Sequence, residues 1–366
     1  MNYLCGMVYH AIGVMSGSSM DGLDVAYCVL EEVRGQWSYS MPHTECIPFP
    51  APWKNTLVNL PGLPGRELMR AHTAFGAWMG AEIAQFIERH DLQHKIHLVA
   101  SHGHTVFHEP ANNMSFQLGD GAAMAVALQL PVVSDLRNMD VALGGQGAPI
   151  VPMAERLLWP NTSAFLNIGG IANMAFHGAD GIIAFDVCAA NRILNELAAE
   201  AGLSYDEDGQ LAASGQCLVD VLAALNQLPY YRQSGPKSLP NEMGLETVLP
   251  MLQGGGHSLN DRLRTAVEHI SDQIIVAVEK QGWRDKEVLV TGGGAFNTYL
   301  IASLNKKSAA YSVSFVVPDA ETVQYKEALA MALLGVLRWR EEETVLVSVT
   351  GAARASVGGA LWMGQV

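Results

Sequence analysis

Two stretches of the chain share one arrangement: an apolar strand, a polar turn bearing glycine, and a second apolar strand. The first, AIGVMSGSSMDGLDVAYCVL, begins at Ala11; the second, AFLNIGGIANMAFHGADGIIAFDVCAAN, runs from Ala164 to Asn191. In a strand–turn–strand hairpin both turns would face the same way. The copies lie too far apart for a solenoid repeat, whose period is roughly 20–50 residues. A duplicated domain is the reading that remains. With 366 residues, the chain is long enough to give each copy its own core.

The first turn is longer and more polar than the roughly two to five residues a hairpin needs. It spans Gly17, Ser18, Ser19, Met20, Asp21, Gly22, Leu23 and Asp24. Small residues let backbone N–H groups approach an anion, so the turn suits a phosphate. No lysine follows the glycines, which excludes the Walker-type loop. Backbone, hydroxyls and a metal ion must then offset the phosphate charge. The formal net charge of −14 points the same way. It argues against a nucleic-acid partner, which demands clustered Lys and Arg, and leaves a bound nucleotide in need of Mg²⁺. Two further glycine turns follow apolar strands, Gly169-Gly170 and Gly292-Gly293-Gly294. The last opens a helix as GGGAFN, which is not the dinucleotide fingerprint but would let an adenine–ribose group lie against backbone.

Helical spacing is expected over Glu67–His90, Asn191–Ala201, Leu259–Gln281 and Glu327–Trp339. Apolar strands alternate with these helices, the pattern of an α/β protein that binds ligands at strand ends. HLVASHGHTVFHEP reads as a buried strand entering a polar loop, and PVVSDLRNMDVALGGQGAPIVP as the passage between the halves. Five dispersed cysteines without a C-x-x-C pair suit free thiols in a reducing cytoplasm. The most apolar window, AAMAVALQLPVV, falls short of the ~18 residues of a membrane span.

Among the acids, Asp21 and Asp24 flank the first turn, and Asp21 could equally brace it. Asp186 ends the apolar run GIIAFD with four residues before Asn191, so it sits too early to cap the next helix and is a functional candidate. His102, His104 and His108 lack a completing cysteine or carboxylate cluster and read as hydrogen-bonding residues rather than a zinc site. Glu327, on its own pattern, reads as a solvated acid in the first turn of a helix.

GVMSGSSMDGLDVA, SHGHTVFHEP, LGDG, VALGGQGAPIVP, FLNIGGIANMA, PKS from Pro236, GGGAFN and EALAMA occur in this order along nearly the whole chain. Together they resemble the motifs of the anhydro-N-acetylmuramic acid kinase family. The resemblance implies an α/β fold of two duplicated actin-like ATPase domains with a central nucleotide cleft. The N-terminal domain would be residues 1–138, rejoined by 346–366, and the second domain 139–345. It further implies an ATP-dependent kinase that opens 1,6-anhydro-N-acetylmuramic acid with water and phosphorylates O6, in peptidoglycan recycling. The loop from Gly17 to Asp24 and the Gly169-Gly170 turn would hold the phosphates. Gly292, Gly293, Gly294 and Asn297 would lie by the nucleoside, and Mg²⁺ would travel with ATP near Asp24. Asp186 falls on the family's catalytic base, and Asp135, Arg137 and Glu327 on sugar contacts, Arg137 facing the lactyl carboxylate. A cytoplasmic homodimer, with no nucleic-acid or membrane partner, completes the expectation. Two departures stand out: DVCAAN replaces the family's Asp-Thr-Gly-Pro-Gly-Asn, and TVQY precedes Lys326 where a glycine and acidic residues are usual. They leave open a related kinase for another sugar, or a non-catalytic actin-like ATP-binding protein.

Overall fold

A computed structural model describes residues 6–17, 22–178, 181–233, 237, 239–240 and 242–364. The chain divides into two units, Met1–Pro160 with Tyr325–Val366, and Asn161–Gln324.

In the first unit, strands Met7–Ser16 (β1), Gly22–Val33 (β2) and Gln36–Pro48 (β3) form an antiparallel meander. Leu98–Glu109 (β4) runs parallel to β1, and Met114–Leu118 (β5) turns back on it. Val132–Ser134 (β6) is parallel to β4 and pairs at the sheet edge with strand Ala360–Trp362. Alternate residues of a strand face opposite sides of its sheet. Ile12, Val14, Leu23 and Val25 therefore share a core with Phe75, Met79, Ile83 and Phe86 of the helix Gly65–Arg89, whose spacing puts them on one stripe.

Gly13 lies between Ile12 and Val14 and meets the helix Ala320–Trp339. A Cβ at Gly13 would stand 1.7 Å from the carbonyl oxygen of Ala328, and one at Gly335 would stand 2.4 Å from the Cβ of Ala100. Glycine on the strand and glycine on the helix thus let the two backbones approach closely. Gly13→Ala should lower stability by about 1–3 kcal/mol, the usual cost of overpacking. Urea unfolding measures it, and an unchanged midpoint would show that the helix yields freely.

The second unit repeats the plan. Ala164–Ile168 (β7), Ile171–Gly178 (β8) and Gly181–Ala189 (β9) form the meander. Lys286–Thr291 (β10) is parallel to β7, and Val313–Val316 (β11) to β10. The order β6-β4-β1-β2-β3 is matched by β11-β10-β7-β8-β9, as duplication requires. Leu166, Met174 and Val187 pack in one core with Ile270, Ile274 and Val278 of the helix Leu259–Lys280.

The unit boundaries differ from the expected 138/139 and 345/346. Helix Val151–Leu158 packs on β3, and Trp159 meets Tyr39 edge to face at 5.3 Å, so the first unit extends to Pro160. The contact at Gly13 likewise draws in the chain from Tyr325 onward. No helix among the described residues is long and apolar enough to cross a membrane.

Candidate active site

In the first unit, β1 and β4 slip register between Val14 and Ser16, and the pairing resumes with Ser16 opposite His104, one residue before Gly17. The buried Ser16 Oγ lies 2.9 Å from His104 Nδ1. His102, also buried, accepts the Arg137 Nε–H at its Nε2 (2.9 Å), while its Nδ1 lies 2.9 Å from the carbonyl of Gly103. Only the tautomer protonated at Nδ1 satisfies both contacts. Burial, helped by the neighbouring Arg137 charge, pushes the His102 pKa down to about 3, so the ring stays neutral. Arg137 also donates to the carbonyl of Gly147 at 2.6 Å, and the buried Asp140 holds that loop by accepting from Gly147 N at 2.7 Å.

Burial lowers the Arg137 pKa to about 10, against a raising effect from Glu327. The Glu327 carboxyl is in turn pushed up by burial and drawn back down by Lys326 and Arg137. Among the described residues Glu327 makes no hydrogen bond. Asp135 sits at φ +56°, a left-handed conformation that is costly for a non-glycine residue, and accepts from Ser134 Oγ at 2.6 Å. A cavity of about 390 Å³ opens beside Arg137, of ordinary size for a small-molecule site. Ser16, His102, His104 and Arg137 make its polar side, Leu57 and Leu60 its apolar one. Asp24 pairs across the sheet with Met15 and Cys46, and its charge, after burial, helps raise the Tyr325 phenol.

In the second unit, β8 and β9 pair Ala172 with Cys188 and Asn173 with Asp186, so Val187 is a bulged residue. Bulges re-aim neighbouring side chains. Asp186 Oδ2 accepts from the backbone N–H of Leu239 at 2.9 Å, its own N–H donates to Lys237 O at 2.9 Å, and its carbonyl accepts from the Tyr230 hydroxyl at 2.7 Å. Lys237 Nζ lies 4.1 Å above the Tyr230 ring. Among the described residues Oδ1 accepts no hydrogen bond. Burial raises the Asp186 pKa and the Leu239 N–H partly offsets it.

The Gly169-Gly170 turn accepts from the start of the helix Asn191–Ala199: Ala190 N donates to Gly170 O at 2.8 Å and Asn191 N to Gly169 O at 3.0 Å. A Cβ at either glycine would meet nothing closer than 3.6 Å, and neither has a positive φ, so internal packing does not demand glycine here. Close approach of a ligand to the backbone would. Gly292 is different: its φ is +81° and a Cβ would come within 2.8 Å of Ile168 O. Asn191 Nδ2 donates to Ile168 O at 3.0 Å and flanks Gly293 and Gly294, uniting the two glycine turns.

A family model described as anhydro-N-acetylmuramic acid kinase matches residues 9–364. The chain belongs to the anhydro-N-acetylmuramic acid kinase family. It is 31% identical to the anhydro-N-acetylmuramic acid kinase of Vibrio vulnificus, covering 96% of this chain and 97% of that one. It is 33% identical to that of Pseudomonas putida, covering 96% and 98%. Among solved structures it is similar to the activator of the 2-hydroxyisocaproyl-CoA dehydratase from Clostridium difficile with bound ADPNP, at a TM-score of 0.44 and 14% identity over 89% of this chain and 93% of that one.

Within this kinase, Arg137 and Glu327 come together in the first unit, and Gly169, Gly170, Gly292, Gly293, Gly294 and Asn191 in the second. Ser18, Ser19, Met20 and Asp21 lie outside the described residues. Asn297 caps the helix Thr298–Ser308 by accepting from Leu300 N at 2.9 Å, which commits its carbonyl oxygen to structure. Asp186 does not end its strand: β9 runs on to Ala189, and Ala190 occupies the cap position of the next helix. Glu327 is no solvated first-turn acid, because its helix begins at Ala320 and Glu327 is half-buried within it. His102, His104 and His108 each hydrogen-bond within the protein, and His108 lies on β4 rather than in a loop. Tyr230 and Leu239, which clamp Asp186, were not apparent from sequence; the PKS motif beside them was their one signal.

Proposed function

We propose that this kinase opens the anhydro bridge of 1,6-anhydro-N-acetylmuramic acid with water and transfers the γ-phosphoryl group of ATP to O6, giving N-acetylmuramic acid 6-phosphate for cell-wall recycling. The observation that carries the reading is the Asp186 carboxylate, with one oxygen anchored by Leu239 N–H and the other without a partner among the described residues. Burial raises its basicity, which suits a general base working near neutral pH.

Water attacks C1 while Asp186 Oδ1 takes its proton, and the C1–O6 bond breaks with its electron pair going to O6. O6 then accepts the phosphoryl group and ADP departs. The step joins inverting glycoside hydrolysis to phosphoryl transfer. Arg137, held by His102 and Gly147, pairs with the lactyl carboxylate, and Asp135 and Glu327 accept from the sugar's donors. The turn from Gly17 to Asp24 and the Gly169-Gly170 turn cradle phosphate, while Gly292–Gly294 lie by the nucleoside. Asn297 Nδ2 is the part of that side chain left for the nucleoside.

Mg²⁺ would be carried in on the phosphates, near Asp24, as the family resemblance implies. The ion would neutralise phosphate charge. Dispersed cysteines without a C-x-x-C pair suit a cytoplasmic setting, and a homodimer follows from the family resemblance alone. Incubation with ATP and the anhydro sugar tests the reading: ADP and sugar phosphate should form one for one, and other sugars should turn over far more slowly. ATP hydrolysis without sugar phosphate would overturn it.

A further inference from the structure

Glu327 is flanked in its helix by two residues fixed in different ways. Ala328 presses its carbonyl onto Gly13 of β1, leaving no room for a side chain there. Lys326 forms an ion pair with Glu155 of the helix Val151–Leu158 at 2.5 Å, and both side chains are only 5% exposed. The ammonium group also lies 6.0 Å from the Trp159 ring centre. A buried pair of this kind is a poor investment for stability alone, since apolar residues of similar volume often do as well. Its place next to a site residue suggests another use.

We propose that the buried Lys326–Glu155 pair is a positioning device for Glu327, holding its carboxylate in place and setting a fixed positive charge beside it. The inference rests on Glu327 being a sugar contact. Glu155 ties Lys326 to the neighbouring helix, so the ammonium cannot swing in to bond Glu327 and neutralise it as an acceptor. Lys326 nonetheless favours the ionised form of Glu327, ahead of Arg137 from the segment after β6. Beyond these stand His102, kept neutral against Arg137, and Tyr325, which faces Asp24 and Glu45. With the Lys326 charge removed, burial acts on Glu327 with only Arg137 opposing it. Its pKa then rises, and the acceptor is lost by protonation as pH falls.

Removing Lys326 alone breaks a buried ion pair from one side, so the informative variant is Glu155→Leu with Lys326→Met, whose fold is checked by thermal unfolding. Calorimetric titration with 1,6-anhydro-N-acetylmuramic acid between pH 6 and pH 8 supplies the readout. The double variant should bind within about twofold of wild type at pH 8 and about tenfold more weakly at pH 6. Lys326→Arg, which keeps the charge and the pair, should follow wild type throughout. A folded double variant that tracks wild type at every pH overturns the positioning role. Glu327→Gln separates the two claims. If it binds sugar as wild type does, the contact reading fails and this inference with it. If it weakens binding while the double variant shows no new pH dependence, only the inference fails.

Discussion

Asp186→Asn should abolish ring opening and ADP formation together, by about 10²–10⁴-fold, the usual scale for removing a general base. Asparagine keeps the shape and can still accept from Leu239 N–H through its carbonyl oxygen, but it cannot take a proton from water. Nucleotide affinity should be unchanged, because the glycine turns are untouched. The pH profile gives a second check on the same residue. Burial raises the Asp186 pKa, and a base works only when unprotonated, so wild-type kcat should fall away on the acid side above the range of an ordinary aspartate. Following sugar and ADP in one tube reads both. If the variant kept ATP hydrolysis but lost ring opening, the two chemical events would be separate. Full activity would leave Asp186 a structural brace.

Arg137→Leu should cost about 3 kcal/mol in kcat/KM, roughly 10²-fold, as is common when one partner of a desolvated charge pair is removed. Most of the guanidinium's work in the free protein is positional: Nε is spent on His102 and one terminal nitrogen on Gly147. Such a braced fork meets a carboxylate without first losing much side-chain freedom. The comparison that isolates this role uses 1,6-anhydro-N-acetylglucosamine, which lacks the lactyl group. Wild type should strongly prefer the lactyl-bearing sugar, and Arg137→Leu should treat the two alike. A preference retained in the variant would assign carboxylate recognition elsewhere. Arg137→Lys, which keeps charge but not the fork, should fall between them.

The duplicated sheets were legible because the two copies share one alternation of apolar strands and glycine turns, and the strand order follows it. The Gly169-Gly170 turn was legible for the same reason, and Gly292-Gly293-Gly294 because it follows an apolar strand and precedes a helix. What pattern alone could not supply was membership. Whether the helix Val151–Leu158 belongs to the first unit depends on Trp159 meeting Tyr39, a contact between residues 120 positions apart. The start of the Ala320–Trp339 helix was missed because Thr322 and Val323 are weak helix formers. Pro318-Asp319 marked it all the same: Asp319 Oδ1 accepts from Thr322 N at 2.8 Å, an N-cap contact. That error made Glu327 look like a first-turn acid. At Asp186 the misreading came from the bulge at Val187, which lets a strand continue through small apolar residues while turning the carboxylate. The partnership of His102 with Arg137 joins residues on separate elements, and no local spacing announces it.

Turnover in ¹⁸O-labelled water tests the coupled reaction most directly. If water attacks C1 and O6 accepts the phosphoryl group, a product sampled at once should carry one label on the C1 hydroxyl. The phosphate on O6 should carry none, and no labelled inorganic phosphate should appear. Label in phosphate with the anhydro bridge intact, or an unlabelled C1 hydroxyl, would contradict the mechanism.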